Sequence, residues 1–172
     1  MRDVIAGIVS VLLLFVAASL ATTLRAYRRR RQRTRDAERA LGRVIIAEVP
    51  TSDDLVLVSE DGRRLYYGER PIDKDLIVAV RVLINGAPIA AYVSRRHNSA
   101  TPRHPTSFED RGEGIAHDRW DVAVETDAGT ILIECGAIRE RVSQELARTI
   151  FEAIKRDLEK RDDAAESQRA RR

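Results

Sequence analysis

The chain has 172 residues, 44% hydrophobic and 33% charged, with a net charge of +3 and one cysteine. A lone Cys135 excludes an intrachain disulfide and suits a reducing compartment, and the length allows one domain beside a terminal segment. Residues 25–43 hold nine Arg against Asp36 and Glu38, so residues 44–172 are net acidic. That distribution argues against a nucleic-acid-binding fold, which would carry its basic patch on the domain itself.

Residues 4–24, VIAGIVSVLLLFVAASLATTL, hold no charge. As a helix rising about 1.5 Å per residue, this stretch reaches roughly 30 Å, the thickness of a bilayer's hydrocarbon core. A cleaved signal peptide is the competing reading. It wants a positive n-region and a shorter apolar run, and Met1-Arg2-Asp3 supplies no net side-chain charge. Arg25, Arg28, Arg29, Arg30, Arg31, Arg33 and Arg35 follow at once, and such clusters are retained on the cytoplasmic side. The expectation is a single-pass anchor over residues 1–24 in the inner membrane, with its N-terminus outside and the domain in the cytoplasm. Gly7, Ser10, Ala17, Ala18 and Ala21 offer a small-residue helix contact, so a homo-oligomer is an option.

Residues 25–42 read as an Arg-rich juxtamembrane linker that continues the helix. The seven arginines above are candidates for contact with anionic lipid headgroups. The same run can neutralise nucleic-acid phosphates, a reading kept as an alternative.

From residue 43 the periodicity becomes that of strands. Residues 44–49 are β-branched and stop at Pro50. Residues 55–59 and 64–67 flank Glu60-Asp61-Gly62-Arg63; residues 76–84 and 87–93 flank Asn85-Gly86; residues 120–125 and 130–135 flank Thr126-Asp127-Ala128-Gly129. Asp-Gly and Asn-Gly between apolar runs are hairpin signals, and Asn-Gly suits a type I′ turn. Seven strand candidates joined by tight turns predict an antiparallel sheet. In residues 76–84 one face is wholly apolar and the other is interrupted by Arg81.

The domain closes with an amphipathic helix. Ile138, Val142, Leu146, Ile150, Ile154 and Leu158 recur every four residues, and Ala147, Phe151 and Ala153 widen the stripe. Residues 161–172 show no apolar stripe and are expected to form a flexible tail, with Asp162-Asp163 as tail residues. The fold class is thus α+β over residues 43–160, an antiparallel sheet of about seven strands packed by a C-terminal helix. That order of elements is similar to pleckstrin-homology-like domains. The resemblance rests on topology and implies a bent sheet plugged at one end by the helix, with a binding role.

Residues 94–119, SRRHNSATPRHPTSFEDRGEGIAHDR, join two hairpins that five or six residues could link. Long loops on a rigid scaffold often carry function. This one holds every histidine, and its candidate binding residues are Arg95, Arg96, His97, His104, Phe108 and His117. Glu109, Asp110 and Asp118 complete a metal set on paper, but the histidine spacing matches no compact ligand signature, so no metal is expected. There is no G-x-S-x-G elbow, Walker loop or dinucleotide fingerprint, and Cys135 lies in an apolar strand register. No catalytic residue or cofactor is assigned. The leading expectation is a membrane-anchored binding or scaffold module recruiting a cytoplasmic protein partner. The alternatives are a membrane-surface enzyme using the histidine loop and a nucleic-acid tether through residues 25–43.

Overall fold

The computed structural model describes residues 2–51, 55–97 and 118–171, with side chains of the first helix from residue 12 onward. The chain divides into two compact units, residues 1–43 and 44–172.

The first unit is a helix, α1 (Arg2–Ala40), which runs unbroken from the apolar stretch through the arginines. It stops at Leu41-Gly42. There the Gly42 N–H donates to Arg39 O at 2.9 Å and the Arg43 N–H to Glu38 O at 3.1 Å, bonds that satisfy the orphan carbonyls of a helix end. Among the described residues, no helix is long and apolar enough to cross a membrane. The expected single-pass anchor, its orientation and its inner-membrane location are corrected accordingly.

The second unit holds eight strands among its described residues: β1 (Val44–Pro50), β2 (Leu55–Glu60), β3 (Arg64–Tyr67), β4 (Arg70–Asp73), β5 (Ile77–Ile84), β6 (Ala87–Val93), β7 (Arg119–Thr126) and β8 (Gly129–Ala137). A second helix, α2 (Arg141–Ala170), follows them. The class is α+β and the pairing antiparallel, as the hairpin signals require. The single bent sheet of about seven strands is a different matter. The strands form two sheets of four, ordered β1-β2-β3-β4 and β6-β5-β7-β8, which corrects the one bent sheet that the pleckstrin-homology resemblance implied. The strand missing from the sequence reading is β4, four residues containing Pro71. Proline lacks a ladder donor and is confined to edges, which is where β4 lies.

Turn chemistry explains the hairpins. Asn85 and Gly86 both adopt positive φ, 51° and 77°, the pair of left-handed residues a type I′ turn needs between β5 and β6. Asp61 Oδ1 accepts from the N–H groups of Arg63 and Arg64, both at 2.7 Å, and so folds the β2–β3 turn.

The second sheet is not a meander. Both β6 and β7 pair antiparallel with β5, on its opposite sides, so they run parallel to each other. A parallel pair needs a crossover of a dozen or more residues. Val93 lies opposite Ala79 and Trp120 opposite Ile84, so the chain re-enters at Arg119 some six residues further along β5, roughly 20 Å at 3.4 Å per residue. Five or six residues would have to run fully extended to cover that distance, so the topology asks for a connection longer than a hairpin turn.

One core joins the two sheets and α2. Val49, Val58, Leu65 and Ile72 of the first sheet meet Val80, Val82, Val122, Val124, Ile131 and Ile133 of the second. Ala147, Ile150, Phe151, Ile154 and Leu158 of α2 close over them. Val142 in the first turn of α2, expected in the stripe, lies outside this contact and is 72% exposed. Here β8 approaches the helix closely. A Cβ on Gly136 would sit 2.6 Å from Ser143 Oγ and would have to displace that hydroxyl, and the φ of +109° is one that L side chains rarely adopt. At the other end α2 continues as helix to Ala170 instead of fraying at residue 161.

Ile150→Ala should destabilise the protein by about 2–5 kcal/mol, the usual cost of a large-to-small change at a fully buried site. Val142→Ala should cost close to nothing. Urea unfolding of both variants checks the phase of the helix; equal losses would mean that α2 packs on a different face.

Candidate functional site

The apolar stripe of α2 passes through Ile150, Ile154 and Leu158, and its next position is Asp162. One turn beyond Leu158 the same face therefore carries a carboxylate into the protein. The Asp162 side chain is 0% exposed. An unpaired buried charge is prohibitively costly, so the surrounding chain is built to satisfy it. Asp162 Oδ1 accepts from Ser94 Oγ at 2.6 Å and Arg96 Nε at 3.2 Å. Its Oδ2 accepts from the Arg95 N–H at 2.9 Å and the Tyr92 hydroxyl at 3.0 Å. All of these donors come from the end of β6 and the single 3-10 turn Arg95–His97 that follows it.

Burial alone would raise the Asp162 pKa, but donation from Ser94, the Arg95 N–H, Tyr92 and Arg96 outweighs it and holds the carboxyl below its ordinary value. Tyr92 responds in the opposite sense, pushed up by burial and by its bond to the carboxylate.

Charge pairs extend this junction in both directions. Towards the first sheet, Arg161 donates to Asp157 at 2.8 Å and to Gly62 O at 3.1 Å, and also binds Asp75. Beside it Lys74, with a side chain only 5% exposed, bonds Glu60 at 2.8 Å and Asp157 at 3.1 Å. Towards the C-terminus, Arg95 bonds Asp163 at 2.6 Å and Glu166 at 3.2 Å. Arg95, Arg96, Asp162, Ala165, Glu166 and Arg169 line an open cavity of about 160 Å³. Asp162, Ala165, Glu166 and Arg169 share one face of α2 because they recur at three- and four-residue intervals.

Of the loop residues singled out from sequence, Arg95 and Arg96 are thus brought together at this cavity. His97 closes the turn, and its side chain lies outside the described residues, as do His104, Phe108 and His117. Asp118 lies at the far end of the connection, where its Oδ1 accepts from Asn85 Nδ2 at 3.2 Å. Among the described residues no group of three His, Cys, Asp or Glu is gathered to hold a metal. The lipid-contact candidates Arg25, Arg28, Arg29, Arg30, Arg31, Arg33 and Arg35 all lie on α1. At about 100° per residue they are spread around the helix and do not share one face.

Two other polar features lie apart from the cavity. Arg81, on the face of β5 turned away from the core, pairs with Glu125 of β7 at 2.6 Å, with side chains 8% and 13% exposed. Cys135 is buried in the core, and burial pushes its thiol up to about 12, too high for a thiolate nucleophile near neutral pH.

Sequence reasoning missed Asp162, reading it as part of a polar tail. The signal was present as spacing, since residue 162 continues the row 150, 154, 158, but hydropathy alone rejects a carboxylate there. Tyr92, Ser94 and Arg95 become its partners only when β6 and α2 meet.

The Asp162 carboxylate is stabilised in the folded chain, so its contribution is complete above the ordinary carboxylate pKa near 3.9 and is lost as pH falls through the lower folded value. Asp162→Asn should cost about 3 kcal/mol at pH 7, and the gap to the wild type should narrow as pH is lowered from 5 towards 2. Asp61, held to about 2 by the N–H groups of Arg63 and Arg64 and by Tyr66, supplies a background slope common to both proteins. A gap that stays constant with pH would show that the ionised form of Asp162 is not what the turn binds. Cys135 should react with a thiol reagent only at the rate of unfolding; rapid labelling of the native chain would contradict its burial.

The chain matches no family model, no curated protein and no solved structure.

Proposed function

We propose that the chain is a binding module that takes a protein partner on the surface made by the Arg95–His97 turn and the last third of α2. The observation that carries this reading is the Asp162 junction. It fixes two consecutive arginines at the rim of an open cavity by hydrogen bonds to the backbone as well as to side chains. Rigid presentation lowers the entropy lost on association, and arginine is among the residues enriched at protein interfaces. The cavity is smaller than the 300–1,000 Å³ or so of most small-molecule sites and suits a side chain reaching in from a partner surface. Catalysis has less support. The cavity's acids are engaged by Arg95 and Arg96, and among the described residues neither a histidine nor Cys135 lines it.

Site-specific photo-crosslinking tests the proposal. A photoreactive residue in place of Ala165, in the full-length chain, should capture a discrete partner in the native host. The capture should be lost with Arg95→Glu combined with Arg169→Glu. A probe at exposed Val142 serves as the control. Equal capture from both positions, or capture indifferent to the charge reversals, would remove this surface as the binding site.

A further inference from the structure

Resting on that reading, we infer that the cavity between Arg96 and Arg169 accepts a carboxylate side chain from an acidic segment of the partner. The inference comes from following where each charge at the cavity is already spent. Both oxygens of Asp162 are engaged by the β6 end and its turn. Glu166 and Asp163 are held by the two ends of the Arg95 guanidinium. The acids of the cavity therefore have their cation, and Arg95 has its anions.

Two guanidinium groups do not balance in this way. Arg96 commits Nε to Asp162 at 3.2 Å and turns Nη1 towards Asp75 at 3.6 Å. Its Nη2 is buried with no hydrogen-bond partner among the described residues. A buried donor without an acceptor costs about 1–3 kcal/mol, and more when charged, so the site is improved by anything that brings an acceptor to it. Arg169, one face and seven residues along α2 from Asp162, makes no side-chain hydrogen bond or ion pair among the described residues. The cavity thus has on one side Arg96, whose guanidinium keeps one buried donor unpaired, and on the other Arg169, while its described acids are already engaged.

Size and geometry narrow the class. A cavity of about 160 Å³ corresponds to roughly five water volumes, room for the end of an Asp or Glu side chain and too little for a nucleotide. Guanidinium forks match carboxylates through paired N–H donors.

Fluorescence anisotropy on the full-length chain at 150 mM salt tests the assignment. The probe is a labelled peptide with three Glu separated by Gly-Ser, compared with its Gln counterpart and with a version carrying phosphoserine in place of the central Glu. The Glu peptide should bind, and the Gln peptide should bind at least tenfold more weakly. Arg169→Gln should weaken the Glu peptide about tenfold. Arg96→Lys, which keeps the charge but removes the fork, should do the same, whereas Arg148→Gln on the exposed face of α2 should not. Glu-peptide binding that is unchanged by Arg169→Gln assigns the affinity to the arginines of α1 and overturns the inference. So does absence of Glu-peptide binding, or phosphoserine binding tenfold tighter than Glu. If the crosslink from position 165 persists in those cases, the binding surface stands and only the ligand class falls.

Discussion

A buried carboxylate organises this protein. Asp162 occupies the position on α2 where the apolar stripe calls for another leucine, and the ionised group can be there only because donors from β6 and its turn converge on it. The arrangement is reciprocal. The helix needs the turn to carry its stripe a further turn inward, and the turn needs the helix to hold two arginines in a fixed direction. A hydrophobic residue at 162 would satisfy the helix alone, leaving the Ser94 hydroxyl and the Arg95 N–H without their acceptor.

The neighbouring ion pairs extend the same logic to the first sheet. Lys74 is nearly as buried as Asp162 and is balanced by two acids from different elements, Glu60 of β2 and Asp157 of α2. Arg161 ties the helix to the β2–β3 turn through the Gly62 carbonyl. Such pairs add little net stability over an apolar substitute, because desolvation offsets their attraction. They add direction: an apolar helix face tolerates sliding, whereas a set of charges at 157, 161 and 162 matches its partners in one register only.

Strand order sets the context of the site. Because β5 lies between β6 and β7, the chain leaves the second sheet at one end and re-enters it at the other. The departure point is the Asp162 junction. The re-entry point is pinned by Asn85, whose side chain accepts from the Arg119 N–H and donates to Asp118. A long connection between hairpins is therefore a consequence of topology before it is evidence of function, and the case for binding rests on the anchored arginines at its start.

How far the sequence alone determined this protein depends on the range of the interaction involved. The hairpins were legible because Asp61 and Asn85-Gly86 act on their own backbone within three residues. The antiparallel pairing follows from those turns, and the helix from a four-residue period that any apolar core would recognise. Tertiary structure decided the rest. It split the strands into two sheets, because pairing partners for β4 and the order β6-β5-β7-β8 depend on contacts far apart in the chain. It also turned a polar tail into the last third of α2, because whether a carboxylate can be buried depends on donors nearly seventy residues away, and hydropathy counts only the residue itself.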